Sequence, residues 1–174
     1  MRQIVIYFWQ MCLLKTGPQK LPRSSAVLAL IFLTYLCVAI VTVSMRRPDL
    51  GMLGITGSAL LGVSTEAAIV WLLLAYKQVQ ARFTATMSAL LGTNTIILLI
   101  LMPLNTIILS VDTESTLAFF TELASLVCLG WWLAIAGAIL HHAVNISILQ
   151  GAAVVFVMEI VAMATTLTVY PLPT

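Results

Sequence analysis

Apolar residues run along this chain in five blocks, and the polar positions fall between the blocks rather than alternating with them. The first spans about 25–45 and closes at RRPDLG, where Pro48 and Gly51 break a helix. Blocks over about 53–76, 84–110, 117–140 and 147–170 follow, separated by short polar turns. Pro103, inside the third, is expected to kink that element or end it early. A helix needs roughly 20 apolar residues to cross the hydrocarbon of a bilayer. The pattern therefore predicts five spanning helices and leaves no linker long enough to divide the chain.

Ahead of these blocks, MRQIVIYFWQMCLLK is too short to span comfortably and is rich in aromatic residues. Its Tyr7, Phe8 and Trp9 do not suit the apolar core of a signal peptide, and TGPQKLPRS reads as a turn rather than a cleavage site. It is read as a helix lying in the membrane interface, with Tyr7 and Trp9 at headgroup depth. The predicted fold class is thus an all-α integral membrane protein. Residues 1–24 form an interfacial amphipathic helix and turn, and residues 25–174 a five-helix transmembrane bundle.

Composition agrees with the pattern. Of the 174 residues, 61% are hydrophobic and 8% charged, where a soluble domain carries about a quarter charged. The net charge of +2 and the scattered basic residues exclude a nucleic-acid partner. Cys12, Cys37 and Cys128 lie apart in apolar surroundings, which argues against a disulfide framework or a zinc site.

Lysine and arginine set the orientation. With a cytoplasmic N-terminus, Arg2, Lys15, Lys20, Arg23, Lys77 and Arg82 face the cytoplasm, and Arg46 and Arg47 lie outside. Asp112 and Glu114 then fall outside, His141 and His142 inside, and the C-terminus PLPT outside. The expected location is a bacterial inner membrane.

Polar residues within the blocks are the candidates for function. Glu66 lies eleven residues before Lys77, roughly 16 Å from the inner surface at the helical rise. Glu159, twelve residues after Ser147, and Asn94, ten residues into the third block, reach a similar depth from the same side. Glu66, Asn94 and Glu159 therefore form a possible polar cluster. Intramembrane carboxylates are costly and mark ion pathways. The plainer reading is a neutral acid hydrogen-bonded to Asn94, a threonine hydroxyl or a backbone carbonyl, since no intramembrane lysine or arginine is at hand.

Gly54, Ser58, Gly62 and Glu66 recur every four residues and lie along one side of a helix. Such a row of small residues is expected to pack closely against another helix and to aim Glu66 at protein rather than lipid. Adjacent His141 and His142 point about 100° apart on a helix and have no further histidine to join them. They are read as a boundary pair, not haem ligands. Glu122 is within reach of the outer interface, and Trp131 and Trp132 are read as packing residues. No phosphate loop, nucleophile elbow or metalloprotease signature occurs. No enzyme activity, cofactor or metal is expected.

The stretches RFTATMSALLGTNTIILLILMPL and GWWLAIAGAILHHAVNISILQGAAVVFVMEI, with the opening MRQIVIYFWQMCLLKTGPQKLP, resemble small bacterial five-helix inner-membrane proteins of the Yip1-like type. What the resemblance implies is a fold and a scaffold or accessory role. The leading expectation is a non-enzymatic scaffold that packs against other membrane-protein subunits or against itself. A proton- or ion-coupled carrier using Glu66 and Glu159 is the alternative, and an accessory protein of a haem or quinone respiratory assembly the third.

Overall fold

Six helices account for nearly all of the chain in the computed structural model, which describes residues 2–17, 24–111 and 115–172. They are α1 (Arg2–Cys12), α2 (Ser25–Arg46), α3 (Met52–Tyr76), α4 (Phe83–Ser110), α5 (Thr116–Val144) and α6 (Ile148–Val169). Five of them, α2 to α6, are long and apolar enough to cross a membrane. The charge assignments made above for Lys20, Arg23, Asp112 and Glu114, and the final Pro173 and Thr174, fall outside the described residues, as does the side chain of Arg2.

The ends of the helices follow from their sequences. In α4 the chain does not stop at Pro103 but continues helically to Ser110. Proline removes one backbone donor; the carbonyl it leaves, one turn back at Leu99, lies on an exposed stretch of the helix. α5 runs past Leu140 through both histidines, because Asn145 adopts the left-handed conformation that ends a helix. Arg82 donates to the carbonyls of His142 and Ala143, at 3.3 and 2.9 Å, satisfying acceptors that the helix end leaves open. Ser147 and Gln150 form a reciprocal capping box that starts α6.

The spanning helices close into a ring in the order α2, α4, α5, α6, α3 and back to α2, with α3 also touching α4. All neighbours in the ring are antiparallel except α2 and α4. Between α5 and α6 the backbones themselves meet: a Cβ added at Gly137 would lie 2.6 Å from the Ile148 carbonyl oxygen and 2.8 Å from the Ala152 nitrogen. Only glycine permits that approach, and in an apolar solvent such close contact is what holds helices together.

α1 docks against α4 and α5. Phe8, Met11 and Cys12 are buried, with the Phe8 ring over Gly92, and the Trp131 indole donates to the Cys12 carbonyl at 2.8 Å. Trp9 on the opposite side is exposed.

Replacing Gly137 by leucine forces the α5 and α6 backbones apart and is expected to cost at least about 1–3 kcal/mol, the range for overpacking. The readout is the thermal midpoint in mild detergent. Gly130→Ala, where an added Cβ meets nothing within 4 Å, is expected to hold or raise that midpoint. Equal melting of wild type and Gly137→Leu would contradict the assignment of the α5–α6 contact.

Candidate functional site

Between α2, α3 and α6 lies an open cavity of about 430 Å3, to which α4 adds Leu98. Each helix contributes a single face at the three- and four-residue spacing of an α-helix. On α2 these positions are Tyr35, Ala39, Thr42 and Arg46; on α3, Ser58, Gly62 and Glu66; on α6, Glu159, Ala162 and Thr166. Small residues at Ala39, Ala59, Gly62 and Ala162 leave the volume open.

Glu66 and Glu159 both line this cavity, with the Tyr35 phenol beside them. Glu66 is only 8% exposed and Tyr35 7%. The two carboxyls and the phenol thus reach one space from three helices, α3, α6 and α2. Two like charges in a low-dielectric surround repel strongly, so the doubly ionised pair requires a proton or another cation between the two groups.

No basic side chain among the described residues pairs with either acid. Among the described residues neither carboxyl receives a hydrogen bond. The aliphatic hydroxyls of the lining are committed elsewhere, and only the Tyr35 phenol is not: Thr42 donates to Val38, Ser58 to Ile55 and Thr166 to Ala162, all backbone carbonyls of their own helices at 2.8–2.9 Å. A hydroxyl whose proton is so used can only accept, and an acceptor does not stabilise a carboxylate.

The other end of the cavity is basic. Arg47 makes a bidentate pair with Asp49 at 2.9 and 3.0 Å and donates to the Pro171 carbonyl at 2.8 Å, tying the end of α2 to the end of α6. That pairing holds the Asp49 carboxyl below the usual carboxylate range. Arg46 donates to the Asn105 side-chain oxygen at 2.6 Å and has no carboxylate partner among the described residues. The cavity thus runs from an arginine balanced by a neutral amide to a pair of acids without a basic partner.

The residues singled out in the sequence are sorted by this geometry. Glu66 and Glu159 come together, while Asn94 stays half-buried in α4 and does not line the cavity; Leu98, one turn further, does. Hydrogen bonds to the carboxyls from Asn94 or from threonine hydroxyls, the plainer reading above, are not made. Of the small-residue row, Ser58 and Gly62 face the cavity, and the nearest atom to a Cβ at Gly62 is the Thr166 hydroxyl at 3.9 Å. The atoms nearest a Cβ at Gly54 are those of the Leu50 side chain on its own segment. The row opens a space instead of closing a helix contact. His141 bonds through Nδ1 to the Ile146 carbonyl and His142 lies by Gly17, both remote from the cavity lining. Glu122 is exposed on α5 and Trp132 is buried.

Tyr35 and Arg46 were not singled out as site residues from the sequence. A tyrosine in the middle of an apolar block, and an arginine on the last turn of a spanning helix rather than in the loop, are the signals that point to them.

Gly62→Leu places a branched side chain in the cavity without striking backbone, so stability is expected to change by no more than about 1 kcal/mol while the space beside Glu66 is filled. Thermal midpoint and thiol labelling of a Thr166→Cys variant, with and without the leucine, measure the two effects. Loss of the fold in Gly62→Leu would mean that this face packs against backbone after all.

Compared with known proteins, the chain matches no family, no curated protein and no solved structure.

Proposed function

We propose that this chain is a small multi-pass membrane carrier in which Glu66 and Glu159 bind a proton and exchange it for a cationic group. The observation that carries this reading is the shared cavity: a buried acid, Glu66, and a half-buried one, Glu159, from different helices line one space, and among the described residues neither has a hydrogen-bond or ionic partner. Burying unpaired acids is expensive, and a scaffold gains nothing from placing two of them together. The scaffold expectation drew on the absence of catalytic motifs, the small extramembrane portion, the resemblance and the small-residue row as a docking face; of that row, Ser58 and Gly62 border the cavity. Self-association remains compatible with a carrier of so few helices.

The positive-inside rule orients the proposal. Lys15, Lys77 and Arg82 lie at one end of the bundle, where Gly17 meets His142 and Arg82 binds the end of α5. That end is placed in the cytoplasm of a bacterial cell, with α1 wedged at the interface. The Arg46 and Arg47 end is placed outside.

A reporter fused to the C-terminus is expected to signal the outer compartment; a cytoplasmic signal contradicts the orientation. For activity, everted membrane vesicles acidified by respiration are challenged with inorganic cations, organic amines and zwitterions. At least one compound should release the pH gradient through the wild type, and none through Glu66→Gln at equal expression and equal thermal midpoint. Glutamine keeps the shape of the side chain but exchanges no proton. Release through the glutamine variant at the wild-type rate, or no release through either protein, overturns the carrier.

A further inference from the structure

The proton site explains the deep end of the cavity but not its volume or its basic rim. A cavity of about 430 Å3 lies within the size range of small-molecule sites, far more than a bare ion requires. Selective metal-ion sites converge several oxygen ligands on one point; here the lining between Glu66 and the rim is chiefly alanine, valine, leucine and methionine. The charged groups sit at two separated ends. At the rim Arg46 is a cation whose one partner among the described residues is a neutral amide. At depth Glu66 is more than nine-tenths buried, lines the space and receives no hydrogen bond. Arg46 and Tyr35 are eleven residues apart on α2, about 16 Å by helical rise, and the arginine arm shortens the gap that a ligand must cover.

We propose that the cavity binds a small zwitterion, its ammonium group held between Glu66 and Glu159 beside the Tyr35 ring and its anionic group on Arg46, with an apolar chain between. This arrangement gives every unbalanced group in the cavity a partner. The ammonium offers three donors to acids that have none and lies against an aromatic ring. The guanidinium retains free donors for a carboxylate. The apolar middle meets apolar walls. A simple cation would leave Arg46 facing it along the cavity, and a simple anion would face two acids.

This inference rests on the carrier reading for its coupling but is tested by binding alone. Purified protein in mild detergent is titrated with γ-aminobutyrate, ε-aminocaproate and ω-aminolaurate, and with hexylamine and hexanoate, which carry one charged end each. Ligand-induced shifts in thermal midpoint give the affinities. One length of the zwitterion series is expected to bind about tenfold or more tightly than either single-ended compound, the scale of one charge-assisted hydrogen bond. Arg46→Gln should remove the advantage over hexylamine and Arg46→Lys should restore part of it; Glu159→Gln should remove the advantage over hexanoate. Hexylamine binding as tightly as every zwitterion, or an advantage that survives in Arg46→Gln, overturns the proposal. No zwitterion binding by protein that still releases protons in vesicles through Glu66 overturns the ligand class and leaves the carrier standing. Zwitterion binding with no proton release does the reverse.

Discussion

A hydrocarbon surround offers no water to satisfy a polar group, and this constraint shapes both the fold and the site. Backbone amides must bond within their own segment, so each crossing is a helix. The same rule reaches the side chains: Thr42, Ser58 and Thr166 return their protons to carbonyls of their own helices. Having done so, they have nothing left to donate toward Glu66 and Glu159. The isolation of the two acids from these hydroxyls is therefore a consequence of how the helices satisfy themselves, and the proposed proton and ammonium ligands answer it.

Packing follows from the same absence of solvent. With no hydrophobic drive between helices in lipid, close backbone contact and interhelical hydrogen bonds carry the association. Gly137 supplies the first, between α5 and α6. Arg46 with Asn105, Arg47 with Pro171 and Arg82 with Ala143 supply the second at the ends of the bundle, where long basic side chains can also reach water. The cavity lies between α2 and the α3–α6 pair, where small residues line all three helices.

The spans were legible because length and hydropathy alone decide them: nine of the ten ends of the spanning helices fall within a residue of the apolar blocks. The end of α5 was not, since His141 and His142 look like a boundary and only the turn at Asn145 and the donors of Arg82 keep them helical. In the site, depth counting brought Glu66 and Glu159 to one level, and it equally brought Asn94, which faces elsewhere. Depth is set by position along a helix, but facing is set by which neighbours a helix has, and the ring order α2, α4, α5, α6, α3 is not written in a chain whose helices are apolar all round. For the same reason glycine spacing did not distinguish Gly62, which leaves room, from Gly137, which closes a contact.

The central claim is that Glu66 and Glu159 act as one titrating unit in one cavity. Infrared absorption of the protonated carboxyl groups, followed across pH in reconstituted protein, measures this directly. The account predicts two linked steps in the wild type, a single step in Glu159→Gln displaced from its wild-type position, and no change of the pattern in Asn94→Ala. A Glu66 band that titrates identically with and without the Glu159 carboxyl would show two independent acids and contradict the account.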